Sequence, residues 1–162
     1  MSTEDNKQIF VRVIREVINK GDRELAAELI DEDFKIRRGG LQTTAGLMAG
    51  GNAPISSEEM SSLEGFMRGL TMMLRAFPDF HLEVDEASVV AEGDTVAGIW
   101  TLEGTHDGPF LGIEPTGNRV FIEEAGLMRF ADGKIVEGWF LVDELAFLAA
   151  LGAVSLNTGV SA

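Results

Sequence analysis

The chain reads as an α+β domain: a curved, mainly antiparallel sheet wrapped around N-terminal helices as a cone-shaped barrel. Three observations lead there. Apolar residues recur at helical spacing through the first half of the chain, strand-like apolar runs bounded by turn residues fill most of the second half, and the two kinds of segment hardly mix. Helices segregated from strands in this way indicate α+β rather than parallel α/β architecture.

The elements follow in order. Ile9, Phe10, Val13, Ile14, Val17 and Ile18 share one helical stripe after a Ser2/Thr3 cap, and Gly21 stands where a helix-ending glycine belongs. Asp22 caps a second helix carrying Leu25, Ala26, Leu29 and Ile30, which ends near Asp31 and leads into a short strand at Phe34 to Arg37. Residues 39–55 are glycine-rich without apolar period and read as a long loop, either a lid or an insertion without function. Ser56 and Glu59 form a capping box, and Met60, Leu63, Phe66, Met67, Leu70, Met73, Leu74 and Phe77 continue as a third helix until Pro78. Its methionines suit core filling, and they would suit an adaptable apolar pocket equally well.

Strand-like runs then occupy His81 to Val90, Thr95 to Glu103, Arg119 to Phe130 and Ile135 to Val142, with turn signals at Glu92-Gly93-Asp94 and Asp132-Gly133. These predict an antiparallel meander. A final amphipathic helix, Glu144 to Leu151, stops at Gly152, and residues 153–162 read as a flexible tail behind a single domain of residues 1–152.

Composition narrows the function. The 162 residues are 45% hydrophobic and 25% charged, which fits an ordered globular chain rather than a disordered one. The start, MSTEDNKQ, lacks the basic and apolar regions of a secretory signal, and no run is long enough to span a bilayer, so a cytoplasmic protein without a membrane partner is expected. Cysteine is absent, which removes disulfides and thiolate chemistry. With 27 acidic against 13 basic residues, the formal charge of −14 would repel nucleic acid over most of the surface.

The chemistry available is therefore sparse. No phosphate-binding glycine motif is present, and the two histidines, His81 and His106, lack paired-ligand spacing, so a metal site is not expected. Asp143 is the leading carboxylate. It follows an apolar strand, and alternation puts it on one face with Glu137, Trp139 and Leu141, where apolar neighbours would tune it for proton transfer. It is equally well placed to cap the helix that begins at Glu144. His106, in the loop GTHDGPFLGIEPTGNR, is a second catalytic candidate or a structural histidine bonded to local backbone. Glu123 and Glu124 are adjacent, so strand alternation sends one of them inward. A small apolar molecule would meet Trp100, Phe110, Trp139 and Phe140 from the strands and loop, and Phe66 and Met67 from the third helix.

The segments FPDFHLEVDEASVVAEGDTVAGIWTLE, GTHDGPFLGIEPTGNRV and MRFADGKIVEGWFLVDELAFLAALG together resemble the SnoaL-like polyketide cyclase, or ester cyclase, group of the nuclear transport factor 2-like superfamily, over about Ala76 to Gly152. The resemblance implies a cystatin-like roll, commonly a homodimer, with an apolar cavity and no cofactor. It further implies intramolecular aldol closure of a polyketide ester by a cavity aspartate. Where such cyclases often read His-Trp-Asp, this chain reads Gly138, Trp139, Phe140, leaving Asp143 as the matching acid. His106, Pro115, Thr116 and Gly117 match the family's loop. Two functions stay open: a cyclase or isomerase working through Asp143 with His106 and the two indoles, and a non-catalytic protein that sequesters an apolar metabolite. A dimerisation domain using the exposed sheet face is a third.

Overall fold

The computed structural model describes residues 2–38 and 61–154, which form four helices and a six-stranded sheet. Helix α1, Thr3–Arg12, begins at a reciprocal cap: the Asp5 amide donates to Ser2 Oγ at 3.1 Å and the Ser2 amide to Asp5 Oδ2 at 2.9 Å. Residues Val13–Ile18 widen into a π-helical stretch that the apolar spacing does not announce, with Val13, Ile14, Val17 and Ile18 all buried. Gly21, at φ +65°, turns the chain, and Asp22 caps α2, Arg23–Leu29.

The chain then passes directly into β1, Ile30–Arg38, which is longer than the expected strand and runs parallel to the last strand, so the sheet is mixed. Helix α3, Leu63–Ala76, starts at extended Ser62, whose hydroxyl accepts from the Gly65 amide at 3.0 Å. The expected capping box at Ser56 and Glu59 and the glycine-rich loop at 39–55 lie outside the described residues.

The expected strand at His81 to Val90 is divided. Strand β2, His81–Val84, is separated from β3, Val90–Glu92, by a helical turn at Glu86–Ser88, where Asp85 Oδ1 accepts from the Ala87 amide at 3.0 Å. Strands β4 (Thr95–Thr105), β5 (Arg119–Ala131) and β6 (Lys134–Val142) form the expected meander. Asp132 and Gly133 both adopt positive φ, 49° and 84°, as a two-residue type I′ hairpin requires. The spatial order is β1-β6-β5-β4-β2, with β3 also on β4. The sheet is curved but open, so the expected barrel is not closed.

Alternation gives the sheet two unlike faces. Trp100, Leu102, Val120, Ile122, Met128 and Phe130 point inward and are buried with the helical stripes. A bulge in β6 changes its parity: Phe130 pairs with Ile135 and Arg129 with Glu137, leaving Val136 as the extra residue. Phe140 therefore faces inward, while Trp139 and Leu141 face out.

Helix α4, Glu144–Ala150, ends in a Schellman motif, with the Ala153 amide on the Leu148 carbonyl and the Gly152 amide on the Ala149 carbonyl. Ala153 and Val154 pack against the core, and the rest of the expected tail, residues 155–162, lies outside the described residues.

Candidate functional site

The middle of the inner face holds a carboxylate in apolar company. Trp100 on β4 and Glu124 on β5 are direct partners across the ladder, and the indole Nε1–H donates to Glu124 Oε2 at 2.8 Å. Glu124 is only 6% exposed. The rings of Phe10 on α1 and Phe140 on β6 stand edge-on to the indole, with centroids 6.0 and 6.1 Å away. A carboxylate taken out of water costs several kcal/mol unless hydrogen bonds replace its hydration. Apolar selection alone does not keep such a residue there, which makes it a functional candidate.

Three glycines make room for these rings. A Cβ at Gly126 would lie 2.5 Å from the Trp100 indole, one at Gly98 2.9 Å from Phe10, and one at Gly138 2.9 Å from Phe140. Gly138 also abuts Phe34, whose ring meets Phe66 edge-on at 5.8 Å, so α3 joins the same group. Met67, one residue on, is buried in the core.

The sequence-predicted residues thus divide. Trp100 and Phe140 stand at the Glu124 centre and Phe66 connects to them through Phe34, whereas His106 and Phe110 belong elsewhere. His106 is fully buried beyond the end of β4, six residues past Trp100 and, at the usual strand rise, about 20 Å along the line of the strand. Its ring packs on Phe77 at 5.3 Å, and Phe77 in turn touches Phe110 and Phe147. Phe77 also packs over Gly104, on the inner face between His106 and Trp100.

Around His106 the chain is tied in several places. Its Nδ1 and Thr116 Oγ1 lie 3.0 Å apart, and its carbonyl accepts from the Thr116 and Gly117 amides. The Asp107 and Gly108 amides donate to the Ala76 carbonyl at the end of α3. Burial holds the imidazole pKa below its ordinary value, against the opposing effects of the Gly108 backbone and Asp107.

Asp143 occupies the N-cap of α4, where Oδ1 accepts from the Ala146 amide at 3.0 Å, and it is exposed to solvent. The alternation that groups it with Trp139 and Leu141 is correct, but that face is the outer one. Trp139, expected to line a pocket, is 38% exposed there, with the Arg37 guanidinium 5.3 Å from its ring centroid. Beside it Glu137 accepts from Arg37 Nε at 2.9 Å and from Arg129 Nη2 at 2.7 Å. The Arg129 and then the Arg37 hydrogen bonds hold its carboxyl below the ordinary range.

Sequence reasoning found Glu124 only as one of an adjacent pair. The deciding signal is parity: Glu124 is inward because it opposes Trp100, and Glu123 is exposed. Phe10 enters the sequence reading only as part of a helical stripe and Gly138 only as a departure from the family motif, and nothing in the sequence singles out Gly98 and Gly126. Among the described residues no group of three or more His, Asp or Glu side chains could hold a metal ion, and no helix is long and apolar enough to cross a membrane.

Comparison with known proteins places this geometry in context. The family model of the SnoaL-like polyketide cyclases matches residues 48–151. Among solved structures, AclR from Streptomyces galilaeus, provisionally assigned as a hydroxylase, shares 30% identity over 95% of this chain and 100% of its own, with a TM-score of 0.71. IdmH from Streptomyces antibioticus, provisionally assigned as a polyketide cyclase, shares 30% identity over 91% and 98%, also at 0.71. A SnoaL-like protein from Jannaschia sp. CCS1, with the same provisional assignment, shares 25% identity over 94% and 95%, at 0.75. No curated protein is matched by the sequence.

Proposed function

The chain belongs to the SnoaL-like polyketide cyclase family, and from that premise we propose that it is a cyclase or isomerase of an apolar, polyketide-like carbonyl compound, with Glu124 as general acid/base. The observation that carries this reading is the buried Trp100–Glu124 pair at 2.8 Å, set among Phe10 and Phe140 on the inner face. The sequence pointed to Asp143 for the role. Its carboxylate is engaged at a helix cap in solvent, so the role passes to the interior group, and His106 acts as the anchor of its loop.

The steps balance without a co-reactant. The Glu124 carboxylate takes a proton from the carbon next to a substrate carbonyl, leaving an enolate. For closure, that carbon bonds to a second carbonyl carbon, and the resulting alkoxide takes the proton back from Glu124. For isomerisation, the proton returns at a different carbon. Trp100 fixes the plane of the carboxylate, and the aromatic walls keep the substrate folded so that its two reacting ends meet. General acid/base catalysis of this kind contributes about 10²–10⁴-fold.

A second reading rests on Phe140. It stands where such cyclases often place an aspartate and presents a ring to Trp100, which suits a protein that sequesters an apolar metabolite on the same face without turning it over. On either reading the working species is a cytoplasmic homodimer that binds a small molecule rather than nucleic acid. Native mass spectrometry of the purified protein, followed by assay of the co-purified compound with wild type and Glu124→Gln, tests the choice. Conversion lost in Glu124→Gln with binding retained supports the enzyme, and an unchanged compound with both proteins supports the binder.

A further inference from the structure

Beyond the end of β4 the loop of residues 107–117 is fastened at both of its ends. The Asp107 and Gly108 amides donate to the Ala76 carbonyl at 3.0 and 2.9 Å, and the Thr116 and Gly117 amides to the His106 carbonyl at 3.2 and 2.9 Å. Gly108 lies so close to α3 that a Cβ there would stand 2.3 Å from the Arg75 carbonyl oxygen. At the tip, Phe110 and Ile113 exchange both amide hydrogen bonds around Leu111 and Gly112, whose φ values are 50° and 80°, so the tip is one unit and carries Phe110 with it. Phe110 is buried against Phe77 and Phe147, with ring centroids 5.7 and 5.8 Å away.

The His106 side chain joins these ties, and its seat suits only the neutral ring. Thr116 Oγ1 accepts from the Asn118 amide at 3.3 Å and stands 3.0 Å from His106 Nδ1, which assigns the hydroxyl proton to Nδ1 and the ring proton to Nε2. Nε2 is buried and makes no hydrogen bond among the described residues. A second proton, on Nδ1, would turn the Thr116 hydroxyl away and leave a charged ring enclosed beside Phe77 with its Nε2–H still unpaired. The elements around it bring little compensating charge. Arg75 closes α3, Asp79 is engaged by the Thr105 amide and hydroxyl at 2.6 and 2.8 Å, Glu103 is paired with Arg119 at 2.6 Å, Glu144 opens α4, and Glu114 is exposed on the loop. Asp107 and the Gly108 backbone favour the charged form, and burial outweighs both.

We propose that His106 is a proton-operated latch: neutral, it holds the loop of residues 107–117 closed over the end of the inner face, and once protonated it leaves that seat, so that the loop opens with Phe110 while the sheet stays folded. Trp100, Leu102 and His106 alternate along the inner side of β4, so opening uncovers an apolar strip that runs from Phe77 toward Glu124. In the open form the imidazole titrates near its ordinary 6.5. Below that pH the open form binds a proton that the closed form does not, and the opening constant rises by up to about tenfold per pH unit.

The latch is independent of the chemistry assigned to Glu124, and its test is amide hydrogen exchange of the full chain between pH 7.5 and 5, read as protection factors so that the intrinsic pH dependence of exchange is removed. The Asp107, Gly108, Thr116 and Gly117 amides are expected to lose protection by up to about tenfold per unit below pH 6.5, while the β4–β5 ladder amides from Val96 to Leu102 hold theirs. A proton resonance titration of the His106 ring is expected to follow the same curve. Replacing exposed His81 by His81→Gln is expected to leave the loop's pH dependence intact, and His106→Gln to abolish it at whatever level of protection that variant shows. Loop protection that is unchanged down to pH 5, or that falls in parallel with the ladder, overturns the latch. So does a pH dependence that survives His106→Gln or disappears in His81→Gln; should His106→Gln fail to fold, a wild-type His106 titration that does not coincide with the loop's loss of protection overturns it equally.

Discussion

Trp100 and Glu124 face each other across neighbouring strands, and a 2.8 Å hydrogen bond joins the indole to the carboxylate in the interior of the molecule. Everything proposed for the chemistry depends on this pair being built into the sheet. Its surroundings are made by absence as much as by presence, since the glycines at 98 and 126 are themselves ladder partners beside it.

Gly126→Ala tests that surrounding directly. The added methyl would meet the Trp100 ring at 2.5 Å and Phe140 at 3.0 Å, so the indole must move off Glu124. Overpacking of this kind costs about 1–3 kcal/mol. Urea denaturation is expected to show the loss, with turnover falling further than stability explains because the carboxylate loses its orientation.

Asp143 separates capping from catalysis. Asn also serves as an N-cap, whereas Ala does not, and loss of a cap costs about 1 kcal/mol. Asp143→Asn is expected to keep both stability and turnover, and Asp143→Ala to lose stability alone. Thermal unfolding and initial rates on the same samples check this.

His106 sets a pH dependence. Its folded pKa lies below the unfolded value of 6.5, with burial the largest cause, so the unfolded chain binds the proton more readily. Stability from this site is complete above about pH 6.5 and is lost as pH falls toward the folded pKa. Glu137, lowered chiefly by its Arg129 hydrogen bond, and Asp79, lowered by its bonds to Thr105, act in a separate window. Their stabilisation is complete above their unfolded values of 4.5 and 3.8 and is lost below them as pH falls through the folded pKa. Urea midpoints between pH 8 and 5 are expected to decline for wild type and to flatten for His106→Gln.

Much of this architecture is legible in the chain, and the failures have physical causes. Ser2, Asp22, Gly21 and the Asp132-Gly133 turn announce themselves because caps and tight turns are local chemistry. The side on which Trp139 lies is not local: one extra residue at Val136 reverses the parity of β6, and alternation cannot show a bulge. The choice between Glu123 and Glu124 needs the register against Trp100, which arises only when two strands meet. His106 stands six residues along the strand line from Trp100, which the sequence shows, but the packing of Phe77 on its ring and over Gly104 is a contact between segments far apart in sequence. The division of His81 to Val90 follows from Asp85 bonding its own neighbourhood, a turn signal that the apolar run obscured.

Proton abstraction by Glu124 can be measured without the natural substrate. Incubating the protein with α-tetralone, an apolar aryl ketone, in heavy water and following α-deuteration by nuclear magnetic resonance reports base catalysis at bound carbon. Exchange above the buffer rate is expected for wild type and for Asp143→Asn, falling about 10²–10⁴-fold in Glu124→Gln. Exchange no faster than buffer in wild type, or equally fast in Glu124→Gln, contradicts the assignment of Glu124 as the base.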